Sequence, residues 1–87
     1  MVSDILTNVN RSELVEAANR ERIRPSAYSL NGGLPAEQYV LALGEGGWSV
    51  YYSERGERTG QAHFETEHEA CDHLLLTLVS DPTTRER

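Results

Sequence analysis

Residues 39–53 read YVLALGEGGWSVYYS, two runs of large side chains on either side of a glycine-rich break. The break, Gly44-Glu45-Gly46-Gly47, is a hairpin signal. A four-residue loop pairs Leu43 with Trp48, Leu41 with Val50 and Tyr39 with Tyr52. All six then share one face, and a slip of one residue would scatter them. That face is assigned to the core. Val40, Ala42, Ser49, Tyr51 and Ser53 fall on the other face.

The next strand, about Arg58 to Phe64, carries its apolar residues at Ala62 and Phe64. A three-residue loop, Glu54-Arg55-Gly56, opposes even positions to even positions and puts both on the core face. Gly56 then takes the left-handed place such loops require. A two- or four-residue loop would turn Phe64 away. Glu54, Arg55 and Glu57 are left exposed at the tip.

Downstream, Thr66 with Glu69 forms a capping box, and Glu67 suits the positive end of the helix. Ala70, Cys71, Leu74, Leu75, Leu78 and Val79 recur at helical spacing, so this helix should lie on the sheet. Asp81-Pro82 ends it, and residues 81–87 read as a frayed tail.

Upstream, Asn10 and Glu13 form another capping box, opening a helix to about Arg22, with Ile5, Leu6 and Val9 in a preceding turn. Pro25 stops that element. Ala27 to Leu30 reads as a short strand, broken by Asn31-Gly32-Gly33. The expected fold is a single α+β domain over residues 1–87. It has an N-terminal helical segment (1–24) and a small antiparallel sheet of three to four strands, with the C-terminal helix on one face (26–80).

All 8 basic residues are arginine, against 14 acidic ones, for a net charge of −6. Residues 1–24 balance, with Asp4, Glu13, Glu16 and Glu21 against four arginines, so the whole excess lies beyond them. Such a surface repels phosphate backbones and attracts basic proteins. Nucleic acid is therefore not an expected partner. Ordinary solubility charge is the plainer alternative. The single Cys71 excludes an internal disulfide. With neither a leader-like start nor an apolar run of roughly 20 residues, the expected location is cytoplasmic, away from membranes.

Catalytic chemistry finds little support. His68 and His73 lie five apart on the helix, roughly 140° around from each other, and cannot share a metal. His68 with Cys71 or Asp72 supplies two ligands where a zinc site needs three or four. Cys71 flanks the apolar stripe, and the pairs Glu54/Glu57 and Glu65/Glu67 are solvated acids. Gly44 to Gly47 joins two strands and does not open a helix, so it is no phosphate cradle. The expectation is a non-enzyme without metal or cofactor. Tyr51 projects from the polar face, either as an anchor for a partner or as a seat for the N-terminal helix. The expected partner-binding residues are Glu54, Arg55, Glu57, Tyr51, Glu65 and Glu67.

Ala27-Tyr-Ser-Leu30, Gly32-Gly-Leu-Pro35, Tyr39-Val-Leu41, Phe64-Glu-Thr66, Glu69-Ala-Cys71 and Leu74 occur in order around Trp48-Ser-Val-Tyr-Tyr-Ser-Glu-Arg-Gly56. Over about residues 26–78 the pattern resembles small bacterial immunity proteins found beside polymorphic, contact-dependent toxins. The Trp48 to Gly56 string is its most specific part. The resemblance implies an inhibitor that binds a cognate toxin tightly and occludes its active site, with a basic nuclease-type domain the natural target of an acidic partner. The alternatives are a protein-interaction or regulatory module with another partner and, behind it, a small enzyme.

Overall fold

The hairpin forms with the expected register. β2 (Gln38–Gly44) and β3 (Gly47–Glu54) pair antiparallel, with Leu43 opposite Trp48, Leu41 opposite Val50 and Tyr39 opposite Tyr52. The protein is seen in a computed structural model that describes residues 10–85. Around the hairpin lie β1 (Tyr28–Ser29), β4 (Glu57–Phe64) and two helices, α1 (Arg11–Arg20) and α2 (Glu67–Ser80). The sheet order is β1-β2-β3-β4.

The fold is α+β, but the sheet is mixed. β1 runs parallel to β2, with Tyr28 beside Tyr39. The chain between them does not turn back as a hairpin; it crosses the face of the sheet away from the helices. The Gly32 amide donates to the Leu41 carbonyl at 3.0 Å. The Tyr51 hydroxyl then donates to the Gly33 carbonyl and the Ser53 hydroxyl to the Pro35 carbonyl, both at 2.6 Å. Val40, Tyr51 and Ser53 are consequently buried, and the sheet has cover on both faces.

The turn after β3 corrects the loop length. Glu54 pairs directly with Glu57, so the turn is the two residues Arg55 (φ 54°) and Gly56 (φ 78°), both left-handed. That is the geometry of a primed two-residue hairpin. By itself it would send Ala62 and Phe64 to the wrong face. A bulge at Gly60 (φ 63°) adds one residue to β4, so Tyr52 pairs with Thr59 but Val50 with Ala62 and Trp48 with Phe64. The expected facing is recovered by a different device. Gly56→Val should cost about 1–3 kcal/mol, because a β-branched residue resists positive φ. Arg55→Asn should gain a few tenths of a kcal/mol, since asparagine tolerates that region. The urea midpoint should therefore be highest for Arg55→Asn, lower for the parent and lowest for Gly56→Val; identical midpoints would refute the turn.

α1 opens as expected. The Asn10 side chain accepts from the Glu13 amide at 2.9 Å while the Glu13 carboxylate accepts from the Asn10 amide at 3.4 Å. Its end lies before Pro25 and has another cause. The Ile23 amide donates to the Ala18 carbonyl (2.9 Å) and the Arg22 amide to the Asn19 carbonyl (3.1 Å), with Arg22 at φ 64°. This left-handed closure drops Ile23 into the core beside Ala18. α1 packs chiefly on α2, and α2 covers the sheet. The core joins Leu14, Ala18 and Ile23 to Leu41 and Val50 through Ala70, Cys71, Leu74 and Leu78 of α2. Thr66 caps α2 by accepting from the Glu69 amide at 3.3 Å. At the hairpin end the cover thins: Leu43 is 67 % exposed, and Trp48 is half-buried under the Arg11 guanidinium, 5.3 Å from its ring. The expected turn at Ile5, Leu6 and Val9 lies outside the described residues.

The C-terminal residues that can be described are not frayed. Pro82–Thr84 form a 3-10 turn, and the buried Thr84 hydroxyl lies 2.7 Å from the Leu78 carbonyl and 2.8 Å from that of Asp81. The Arg24 amide donates to the Thr84 carbonyl and its guanidinium to the Thr83 carbonyl, both at 2.7 Å. Arg85 bridges Ile23 and reaches Glu21 at 3.6 Å. Polar residues that looked uncommitted along the chain find their partners in the segment between α1 and β1.

Candidate partner-binding site

Tyr39 and Tyr52 stand opposite one another on β2 and β3, edge to face, with ring centroids 4.8 Å apart. The Tyr39 hydroxyl donates to Asp81 at 2.8 Å. Asp81, at the C-cap of α2, also accepts from the Thr83 amide (3.0 Å) and hydroxyl (2.7 Å). Those bonds, the Thr83 hydroxyl first and Tyr39 second, hold the Asp81 carboxyl below its ordinary range. Burial, then the bond to Asp81, pushes Tyr39 up to about 12. Tyr52 is also raised, by burial first and then by the negative charges of Glu54, Glu37 and Asp81. Three carboxylates from a loop, a strand end and a helix end thus converge on one aromatic ring.

Three grooves meet at Tyr39. One of about 630 Å³ runs along the last turns of α2, past His73, Leu76 and Pro82. A second of about 260 Å³ crosses Tyr52 to Thr59 and Gly60. A third, about 190 Å³, leads to Arg24 and Glu37. No side chain occupies the space beside Gly60, and the wall residue Leu76 is 61 % exposed. The site is therefore an aromatic floor with apolar and acidic edges.

Of the six expected residues, Glu54, Arg55 and Glu57 lie at the β3–β4 turn at this end of the sheet. Glu65 and Glu67 do not extend their patch. They follow the other end of the eight-residue β4, roughly 25 Å away at strand rise. Glu67 is also engaged, accepting from the Arg11 amide (3.1 Å) and Nε (3.2 Å). Tyr51 is neither a free anchor nor a seat for α1. It is 1 % exposed, bonded to Gly33 and covered by the Arg58 guanidinium 4.5 Å from its ring. The residues missed are Glu37, Asp81 and the tyrosine pair. Glu37 had no signal before the β1–β2 crossing was known. Asp81 read only as a helix stop, and parity alone placed Tyr39 and Tyr52 inward without showing that the helix leaves them accessible.

The other reactive groups are occupied or isolated. Burial pushes the Cys71 thiol up to about 11, which keeps it protonated. His63 makes a 2.9 Å contact with the Gly46 carbonyl, and His73 stacks obliquely on Phe64 at 5.0 Å. Among the described residues no three metal-ligating side chains stand together, and no helix is long and apolar enough to cross a membrane. Comparison with protein-family models, curated proteins and solved structures yields no match.

Proposed function

We propose that this protein is a cytoplasmic immunity protein that binds a cognate basic toxin domain, of nuclease type, and occludes its active site. The observation that carries the reading is the gathering of Glu37, Glu54 and Asp81 around Tyr52, beside the exposed Glu57. Glu54 and Glu57 stand directly opposite one another across the turn. Like charges in that relation destabilise a hairpin, so their placement is better explained by a cationic partner than by the fold. An acidic rim steers a basic protein into encounter, and an exposed aromatic and aliphatic groove supplies contact area once it arrives. Inhibition by occlusion needs a rigid complementary surface and no catalytic group of its own.

The test is association with the basic C-terminal domain of a toxin encoded beside this gene, followed across a salt series. The parent should bind, faster at low salt. Glu54→Lys with Glu57→Lys should slow association about tenfold or more, flatten the salt dependence and abolish protection of cells making the toxin, with thermal melting preserved. Glu65→Lys, at the far end of β4, should behave as the parent. No binding by the parent would refute the immunity reading; unchanged rates in the folded double variant would refute this surface.

A further inference from the structure

A fourth cavity, about 430 Å³, lies between the Asn31–Gly33 segment and the face of the sheet that this segment crosses. In a chain with 14 acidic residues no carboxylate lines it, whereas Arg11 and Arg58 both do. Arg11 is held by Glu67 at 3.2 Å. Arg58 makes no side-chain hydrogen bond or ion pair among the described residues, yet it is not loose: its guanidinium sits 4.5 Å over the ring of Tyr51. That ring is itself fixed, buried and bonded through its hydroxyl to Gly33. The result is a planar fork of donors, already oriented, with no partner.

An oriented guanidinium loses little freedom on binding and matches the two oxygens of a carboxylate or phosphate. The other lining is mainly apolar, with Leu43 and Trp48 at one side and the Asn31 carboxamide near the loop. We infer that this cavity binds a small organic oxyanion, a carboxylate or phosphate ester carrying an apolar body, with Arg58 as the main ligand and Arg11 adding positive potential. The site is separate from the acidic groove and does not depend on the immunity reading.

The experiment titrates the full chain with phenyl phosphate, benzoate, inorganic phosphate and acetate at constant ionic strength. Trp48, the single tryptophan, reports by fluorescence, and the Arg58 Nε–H resonance reports directly. Phenyl phosphate or benzoate should saturate with Kd of about 1 mM or tighter, and which of the two binds better identifies the oxyanion. Inorganic phosphate and acetate should bind about tenfold more weakly for lack of an apolar body. Arg58→Gln should weaken binding about tenfold or more and Arg58→Lys by less, because an ammonium cannot form the two-pronged contact. The exposed position of Arg58 lets both variants fold, which a thermal melt checks. No saturable response from any of the four probes, or parental affinity in folded Arg58→Gln, would overturn the inference.

Discussion

Tyr51→Ala is expected to destabilise the protein by about 3–5 kcal/mol, the range for truncating a buried aromatic. Its ring is 1 % exposed and fills the space between β3 and the crossing segment. Removing it leaves a cavity in that second layer, strips the platform from Arg58 and frees the segment from β3. Tyr51→Phe keeps the ring and loses only the 2.6 Å bond to Gly33, so it should cost about 1 kcal/mol. Urea unfolding of the two variants separates packing from hydrogen bonding. Similar, small losses in both would show that the segment does not cover this face.

Gly47→Ala should cost at least about 2 kcal/mol. Gly47 lies at φ 129°, where side chains are rarely accommodated, and a Cβ there would meet the Phe64 carbonyl oxygen at 2.6 Å. That oxygen belongs to β4 backbone, so relief requires parting the strands where Trp48 pairs with Phe64. Gly46→Ala is the control: its Cβ would meet nothing nearer than the His63 ring at 3.7 Å, so it should melt close to the parent. Equal losses at both positions would mean that the glycines serve only as flexible turn residues.

The contrast between these glycines marks how far local reading reaches. Both belong to the break between two apolar runs, and the hairpin with its register followed from alternation alone. The need for glycine at 47 in particular arises from β4, a strand distant in sequence from that turn. Phe64 makes the same point. Its facing was legible because an apolar residue must find the core, but two devices achieve it, a three-residue loop or a two-residue turn with a bulge. Gly60 chose the second, and a glycine in a polar strand is too weak a signal to show it.

The candidate site was legible in part for the same reason. Glu54, Arg55 and Glu57 are close in sequence and share a turn, so local geometry exposed them together. Glu65 and Glu67 looked like their neighbours because they too are close in sequence, yet an extended strand carries them to the other end of the sheet. Glu37 and Asp81 come from distant segments and meet Tyr52 only when the chain has folded.

What the sequence determined by itself is therefore what short-range forces settle: the caps of both helices, the β2–β3 register, the exposed turn and the acidic balance. Each depends on groups a few residues apart or on a periodicity of two or about 3.6. Tertiary structure alone decided the parallel β1, the burial of Tyr51, the tied C-terminal turn and the union of Glu37, Glu54 and Asp81 at Tyr52. These rest on contacts between segments far apart in the chain. Such contacts form only where burial and hydrogen bonding outweigh the entropy of closing the intervening loops, and no local pattern records which pairs succeed.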